Sequence, residues 1–242
     1  IAPGNHSNEE TLRLVNNLFR LNLPIKLSPE IYDIITSGVK HANITSEPFV
    51  NIAQSSMPEW QKSVKRTVDI VVSTISLILL LPAFAVISFL IKRDSQGSVF
   101  YKQERIGRHG KPFNIYKFRT MYSDAESDGV PRLTGDNDRR ITRIGSFLRK
   151  YRIDETPQFW NVIKGDMSLV GPRPEREYFA QRIVEKAPYY TLTYRIRPGI
   201  TSWGMVKYGY AQTVDEMIER SKYDLIYLEN MSLFIDIKIV LY

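Results

Sequence analysis

The stretch VDIVVSTISLILLLPAFAVISFLI, residues 68–91, decides which class of fold this chain can adopt. It contains a single charged residue, Asp69. As a straight α-helix, a run of this length would extend about 36 Å, whereas the hydrocarbon core of a bilayer is about 30 Å thick. The run is therefore long enough to span a membrane, and so long an apolar segment is rare in a soluble domain.

Two details of this run favour a bent helix over a straight span. Pro82 lies inside it and removes one backbone hydrogen bond, so we predict a kink there. Cations flank both ends of the run: Lys62, Lys65 and Arg66 before it, and Lys92 and Arg93 after it. Because such cations favour the cytoplasmic side, both ends are expected on the same side of the membrane. We therefore predict a kinked re-entrant helix, with a straight span as the alternative.

The first half of the run also carries polar residues at helical spacing. Asp69, Ser73 and Ser76 recur at i, i+4 and i+7 and would share one face. Such a stripe suits shallow burial in a membrane or packing on a soluble domain. A fully buried core helix of a soluble protein is the remaining interpretation.

The composition of the chain narrows the chemistry that it can carry. Its 242 residues include no cysteine and only three histidines, which lie far apart. This composition excludes disulfides and thiolate chemistry, and it argues against a histidine-based metal site or a Ser-His-Asp triad. The formal net charge of +7 predicts an anionic partner, which could be nucleic acid, an acidic membrane surface or a phosphorylated molecule. Acid–base or nucleophilic work would fall to carboxylates.

The pattern along the chain predicts an α+β fold in three regions, which are residues 1–57, 58–93 and 94–242. The first region combines a helical pattern in residues 9–22 with short strands in residues 23–29 and 47–53. We interpret it as the tail of an α/β, Rossmann-like regulatory domain and its linker, and the whole chain as a fragment of a longer protein. The second region is an amphipathic lead-in and the membrane helix.

The third region begins with a small β element and continues with helices. Alternating residues on both sides of RHGK predict a hairpin of residues 98–107 and 111–121, and residues 123–140 read as a polar surface loop. Residues 141–153 have the pattern of an amphipathic helix for a membrane interface. Its apolar side is predicted to hold Ile141, Ile144, Phe147, Leu148 and Tyr151.

The segment RKYRIDETPQFWNV, residues 149–162, contains the most conspicuous pair of carboxylates. Asp154 is a competent helix N-cap, Pro157 suits a first helical turn, and Glu155 near a helix N-terminus is favourable. On composition alone, this structural interpretation is favoured over a catalytic one. The cations in the neighbouring segments reverse that preference.

Several of these cations lie on stiff segments or beside the carboxylates. Proline fixes φ, so Arg173 between two prolines and Arg197 before Pro198 belong to rigid backbone that suits phosphate recognition. The predicted phosphate-binding residues are Lys117, Arg119, Arg149, Arg173 and Arg197. Because the chain has no phosphate-binding loop of the Walker A or GxGxxG type, side chains and a divalent cation are expected to hold the phosphate. Oxygen ligands favour Mg²⁺.

Taken together, these segments resemble the bacterial sugar transferases, the monotopic polyprenyl-phosphate phosphoglycosyl transferases. The matching segments are KRTVDI before the Pro-containing helix, FYKQERIG, IYKFRTM, RKYRIDETPQFWNVIKGDMSLVGPRP and RPGITSW. They follow the family's order over about three quarters of the chain. Residues 1–57 resemble the end of the Rossmann-like regulatory domain of the family's larger members.

The resemblance implies a reaction. A UDP-sugar gives its phosphosugar to undecaprenyl phosphate, and UMP is released, as the first membrane step of building an exopolysaccharide, capsule, O-antigen or glycoprotein glycan. By this resemblance, Asp154 is the nucleophile of a covalent phosphosugar intermediate, and Glu155 helps Asp154 to bind Mg²⁺. A helix N-terminus and Arg149 are expected to keep Asp154 ionised.

The resemblance also implies a location, and other functions remain as alternatives. The expected site is the cytoplasmic face of the bacterial inner membrane, in contact with membrane lipids, and a homodimer is compatible with it. The alternative is a non-catalytic, membrane-anchored module that binds anionic lipid or scaffolds a partner. A nucleic-acid partner is not expected, because the cations are dispersed among prolines and no known binding motif is present.

Overall fold

The computed structural model describes residues 57–125, 132 and 138–242, together with the backbone of residues 26–27 and 50–51. The chain divides into two units, residues 1–55 and 56–242. In the first unit, β1 (Lys26–Leu27) pairs antiparallel with β2 (Val50–Asn51). Both fall where short strands were predicted. The predicted helix in residues 9–22 lies outside the described residues, and the Rossmann-like assignment stays a prediction.

The second unit mixes helices and strands, which confirms the α+β class. Its α-helices are α1 (Glu59–Asp94), α2 (Arg143–Lys150), α3 (Gln158–Lys164), α4 (Glu177–Lys186), α5 (Trp203–Lys207), α6 (Val214–Glu229) and α7 (Leu233–Leu241). Its strands are β3 (Phe100–Ile106), β4 (Pro112–Phe118), β5 (Ser168–Val170) and β6 (Gly199–Thr201). β3 and β4 form an antiparallel hairpin, and β5 pairs parallel with β6. Short 3-10 helices occupy Arg108–Gly110, Ile153–Glu155 and Pro188–Arg195.

Helix α1 contains the apolar run and extends beyond it at both ends. It is a single helix of 36 residues with Pro82 inside. Within the part of the chain that the structure describes, it is the one helix long and apolar enough to cross a membrane. Only 6% of its most apolar 18-residue window is buried. A core helix of a soluble protein would be mostly buried, so we interpret α1 as a membrane-associated helix.

The polar stripe of α1 packs on the rest of the second unit. Of the two predicted settings, shallow burial in a membrane and packing on a folded domain, the structure shows the second. Asp69 and Ser73 are buried. The Asp69 carboxylate accepts hydrogen bonds from Ser168 Oγ at 2.7 Å and from the Leu169 backbone N–H at 3.3 Å. These bonds attach the first half of α1 to β5.

The C-terminal end of α1 packs on the same unit through apolar contacts. Phe84 meets the Phe118 ring edge-on, with centroids 4.9 Å apart, and Ile91 is buried in the same cluster. Between the two attached ends, Ile78 and Leu79 are 61% and 72% exposed. Both ends of α1 are therefore held by one unit, while the middle of the helix presents apolar side chains outward.

The apolar side chains of α2 do not share one face, contrary to the predicted amphipathic pattern. Leu148 is buried against α1 and β4, whereas Phe147 and Tyr151 are 55% and 58% exposed. The rings of Phe147 and Tyr151 contact each other at a tilt of 56°, with centroids 5.0 Å apart. Residues four apart share a helix face, so Ile144 and Leu148 form the core face and the two aromatic residues form a separate exposed face. The single apolar side predicted for this segment is wrong.

The contact between Asp69 and β5 can be tested through stability. Asp69→Ala leaves Ser168 Oγ and the Leu169 N–H without their buried acceptor. We expect the free energy of unfolding to fall by about 1.5–3 kcal/mol, the usual worth of hydrogen bonds to a charged group. Thermal unfolding of detergent-held protein measures the change.

Thr67→Ala is the matched control, because Thr67 is exposed on the same helix and bonds only to the Ser63 carbonyl one turn earlier. Equal melting of the two variants would contradict the role assigned to Asp69.

Candidate active site

The carboxylate pair lies on a tight turn between α2 and α3. Arg152 adopts a left-handed conformation with φ of 55°, which turns the chain into the 3-10 helix Ile153–Glu155. Pro157, rather than Asp154, occupies the N-cap of α3, so the alternative interpretation of Asp154 as a helix N-cap is wrong. Asp154 and Glu155 are both buried. Burying two acids without a capping role calls for compensating charge.

Cations surround the Glu155 carboxylate. Lys117 Nζ lies 2.6 Å from Glu155 Oε1, and Arg173 Nη2 lies 3.6 Å from the same oxygen. Arg152 Nη1 lies 3.5 Å from Oε2. The structure thus brings together Lys117, Asp154, Glu155 and Arg173, four of the residues predicted from sequence. We call these four residues and Arg152 the acid–cation cluster.

The cluster separates the pKa values of its two acids. Burial by itself would raise the pKa of Glu155, but the positive charges of Lys117 and Arg173 reverse this and hold that pKa well below its ordinary value. Burial raises the pKa of Asp154, although Lys117 and Arg149 oppose the rise. Arg149 favours the ionised form of Asp154 as expected, but the cost of burying the charge outweighs this attraction, so the net shift of the pKa is upward. Two acids with divergent pKa values can take different chemical roles.

Asp154 is also the less engaged of the two acids. Its carboxylate forms no ion pair within the described residues, whereas Glu155 contacts three cations. Arg149, in the last turn of α2, acts on Asp154 through its charge. The carboxylate of Asp154 is therefore available to a ligand without first breaking a salt bridge.

The segment around Arg173 is pinned on both sides. The Pro172 carbonyl accepts a hydrogen bond from the Gly199 N–H at 2.9 Å, and the Pro174 carbonyl accepts one from Arg105 Nη1 at 3.1 Å. The prolines restrict the backbone between these bonds. Arg173 is consequently presented to Glu155 by stiff backbone, as the sequence predicted.

A buried charged network that the sequence did not reveal supports this segment. Glu175 forms ion pairs with Arg220 at 2.5 Å and with Arg105 at 3.4 Å. The Asp224 carboxylate accepts a hydrogen bond from the Gly204 N–H at 2.8 Å. The i, i+4 spacing of Arg220 and Asp224 on α6 places both on its buried face, and this spacing is the signal by which they could have been found.

Asn161 is a second support that sequence reasoning missed. Its side chain is fully buried and bridges α3 to β4, accepting from the Tyr116 N–H at 3.0 Å and donating to the Asn114 carbonyl at 2.7 Å. Lys117 follows directly on β4, while Glu155 lies just before α3. Asn161 therefore fixes the two elements whose side chains form the shortest ion pair of the cluster.

Two predicted phosphate ligands are engaged elsewhere. Arg119 donates to the backbone carbonyls of Ser95 and Gln96, so it closes the end of α1. Arg197 Nε donates to the Gly165 carbonyl at 3.0 Å, at the C-terminus of α3. The structure does not bring these two guanidinium groups to the acid–cation cluster.

Arg152 and Tyr210 join the site although neither was predicted. The Arg152 guanidinium lies over the Tyr210 ring at 4.8 Å from its centroid, and that of Arg173 lies 5.9 Å away. The face of an aromatic ring attracts a cation. Tyr210 therefore helps to hold both arginines beside Glu155.

The donor set fits a magnesium ion that is shared with a substrate. The structure shows no group of three His, Cys, Asp or Glu side chains within the residues that it describes. Mg²⁺ is commonly bound by one or two carboxylates, with substrate phosphates and water completing its coordination. The neighbouring carboxylates of Asp154 and Glu155 match that pattern.

These observations define a membrane-associated α+β domain with an acidic pair set among cations. The sequence profile of the family described as bacterial sugar transferase matches residues 60–242. The chain belongs to this family, as its motifs indicated.

Three similar proteins are named as transferases of a sugar phosphate from a UDP-sugar to undecaprenyl phosphate. The chain is 36% identical over 219 residues to the UDP-N-acetylgalactosamine-undecaprenyl-phosphate N-acetylgalactosaminephosphotransferase of Aeromonas hydrophila, covering 90% of this chain and 51% of the relative. It is 34% identical over 232 residues to the UDP-glucose:undecaprenyl-phosphate glucose-1-phosphate transferase of Escherichia coli (strain K12), covering 94% and 49%. A transferase of the same name from Caulobacter vibrioides is 39% identical over 183 residues, covering 73% and 67%. The chain spans about half the length of the first two relatives.

The buried Asp224 predicts a pH dependence of stability. Burial raises its pKa from 3.8 to about 6, against the hydrogen bond from Gly204 and the charge of Arg220. Between these two values the folded state holds more protons than the unfolded state, so the free energy of unfolding decreases as pH rises from about 4 to about 6. The total decrease from this group is about 3 kcal/mol. In Asp224→Asn, denaturant unfolding at several pH values should lack this contribution.

Asp215→Asn is the matched control, since Asp215 is an exposed carboxylate on the same helix. A decline in stability between pH 4 and 6 that is the same in Asp224→Asn and in the unaltered protein would contradict the assignment.

Proposed function

We propose that this chain transfers a phosphosugar from a UDP-sugar to a polyprenyl phosphate, such as undecaprenyl phosphate, and releases UMP. The observation that carries the proposal is the buried acid–cation cluster. In it, the Asp154 carboxylate, which forms no ion pair with any residue that the structure describes, lies beside the Glu155 carboxylate, which contacts three cations. Membership of the bacterial sugar transferase family and the names of the relatives support the same reaction class. Those names differ in the sugar, so the donor is left to experiment.

The reaction would proceed in two displacements at one phosphorus. The Asp154 carboxylate attacks the β-phosphorus of the UDP-sugar, and the bond between that phosphorus and the bridging oxygen breaks, so that UMP leaves. A phosphosugar is then bound to Asp154 as an acyl phosphate. An oxygen of the polyprenyl phosphate attacks the same phosphorus, and Asp154 leaves as a carboxylate. Carboxylate nucleophiles of this kind are well suited to splitting one difficult transfer into two easier ones.

The surrounding residues have separate tasks in this scheme. Arg173 and Lys117 offset the negative charge of the phosphates, and their fixed positions avoid reorganisation during the reaction. Glu155 keeps its charge and holds these cations in place. Asp154 and Glu155 would also hold Mg²⁺, which would neutralise phosphate charge when bound.

The membrane helix explains how a buried polar site could reach a lipid substrate. Both ends of α1 contact the rest of the second unit, and Tyr151, whose exposed ring contacts that of Phe147, lies directly before Arg152 in the chain. Exposed aromatic residues on amphipathic elements favour the membrane interface. We propose that α1 enters the bilayer, bends at Pro82 and returns, and that the site faces the cytoplasmic side of the inner membrane.

A non-catalytic, membrane-anchored scaffold is the alternative function. Such a module could use α1 and basic residues to bind anionic lipid. It would gain nothing from burying two acids, which is unfavourable without compensating cations. The acid–cation cluster therefore favours the enzyme.

Replacing the nucleophile tests the proposed reaction. In Asp154→Asn, UMP release from a panel of UDP-sugars, with undecaprenyl phosphate and Mg²⁺, should decrease at least about a thousandfold for the sugar that the unaltered protein uses. The amide keeps the shape of the side chain but cannot attack phosphorus. Unfolding measurements on the same samples should show a folded protein.

Asp166→Asn serves as the matched control, because Asp166 is an acid near α3 that pairs with Lys164. Turnover in Asp154→Asn close to that of Asp166→Asn would exclude Asp154 as the nucleophile.

The path of α1 can be tested by cysteine labelling. The chain has no cysteine, so single cysteines introduced as Ser63→Cys and Ser98→Cys report on the two ends of α1. Both replaced serines are exposed. A re-entrant helix predicts that a membrane-impermeant maleimide labels both from the same side of sealed vesicles.

Ser146→Cys, at an exposed position on α2, marks the side on which the second unit lies. Labelling of Ser63→Cys and Ser98→Cys from opposite sides would establish a straight span instead.

A further inference from the structure

A cleft of about 360 Å³ opens beside Glu155. One wall is formed by Arg152, Glu155 and Thr156, and the other walls by α3, β6, α5 and α7. Its apolar lining consists of Phe159, Ile200, Met205, Val206, Ile239 and Val240. The transfer reaction outlined above assigns no part of the substrate to this space.

The lining identifies the kind of ligand that would fit. Its volume lies in the range of ligand pockets, about 300–1,000 Å³. Six of the eleven lining residues are Phe, Ile, Met or Val, whose side chains form no hydrogen bonds with a sugar or a base. A sugar or a nucleotide base would lose hydrogen bonds to water on entering such a cleft. An apolar chain attached to an anionic group would contact the apolar walls and the guanidinium of Arg152.

The cleft is continuous with an apolar surface on α7. Val240 lines the cleft and is 61% exposed, and Phe234, Ile237 and Leu241 on the same helix are also exposed. An exposed apolar helix face of this size marks a contact with lipid or with another apolar partner. A chain that lies in the cleft can therefore leave it along α7 without crossing water.

We propose that this cleft holds the first isoprenoid units of the prenyl phosphate acceptor, with the phosphate against Arg152 and Arg173. The inference rests on the proposed transfer to a polyprenyl phosphate and adds the place where the lipid is recognised. The apolar lining, the Arg152 guanidinium at its polar end and the apolar path to α7 select this occupant. The contact would make the enzyme sensitive to the apolar chain next to the phosphate, independently of membrane anchoring.

The test compares two similar changes on α7. Val240→Asn removes an apolar side chain that lines the cleft, and Ile237→Asn removes one with similar exposure, 59%, that does not line it. Both variants lose comparable contact with a membrane. The KM for undecaprenyl phosphate is measured in each variant, together with inhibition by geranyl phosphate, a short prenyl phosphate that needs no membrane.

We expect Val240→Asn to raise this KM about tenfold and to weaken geranyl phosphate inhibition by a similar factor, as loss of one buried aliphatic contact predicts. Ile237→Asn should change neither value by more than about twofold, within the usual effect of a surface substitution. If the KM rises equally in both variants while geranyl phosphate inhibition stays the same, α7 only anchors the membrane and the proposal is overturned. Unchanged values in both variants also overturn it.

UMP release from the donor without any lipid separates this inference from the proposed function. If the unaltered protein releases UMP and Val240→Asn leaves the KM for undecaprenyl phosphate unchanged, the proposed lipid site in the cleft is refuted while the transfer reaction stands. If the unaltered protein releases no UMP under any condition, the transfer reaction fails and the cleft proposal fails with it.

Discussion

The ion pair between Lys117 and Glu155 joins two parts of the chain that are 38 residues apart. Lys117 comes from the β3–β4 hairpin and is largely buried, and Glu155 comes from the 3-10 helix before α3 and is buried. A buried charge is costly unless an opposite charge and hydrogen bonds compensate it. Each side chain therefore offsets part of the cost of burying the other, and their ion pair holds the hairpin against the carboxylate turn. Asn161 then fixes the distance between their elements.

Close packing between β5 and β6 brings Arg173 to the site. β5 and β6 pair in parallel, and Gly171 and Gly199 allow their backbones to approach where any side chain would collide. The Pro172 carbonyl accepts a hydrogen bond from the Gly199 N–H across this contact, and Arg173 is the next residue in the chain. Glu175 is in turn paired with Arg220 on α6. The rigidity of the phosphate-binding candidate is therefore a property of the fold around it as much as of its two prolines.

Features that are local in the chain could be predicted from the sequence. The apolar run predicted the central part of α1, and the alternation of apolar and polar residues predicted the β3–β4 hairpin. The helical spacing of Asp69 and Ser73 predicted the face of α1 that is buried. Tertiary bonds were not visible in these patterns. The second strand of the hairpin was predicted to reach residue 121, but β4 ends at Phe118, and the Arg119 side chain, predicted to bind phosphate, binds the end of α1.

The candidate site shows the same division between local and tertiary information. Its two acids, Lys117 and Arg173 were predictable because chemistry-bearing residues clustered on motifs and stiff segments. The buried residues Arg220 and Asp224 on α6 were not predictable. A helix rich in charged residues usually exposes its charged side chains to solvent, whereas these two are buried. The pKa of Asp154 was also misjudged, since burial depends on the whole fold and outweighs the nearby Arg149.

The measurement that most directly tests this account is the intact mass of the protein after incubation with a UDP-sugar and Mg²⁺ in the absence of any lipid. The account predicts a gain equal to one sugar phosphate, located on the peptide that contains Asp154, and its disappearance when polyprenyl phosphate is added. A protein that transfers sugar phosphate to lipid at full rate, yet never carries this mass and tolerates loss of the Asp154 carboxylate, would contradict it.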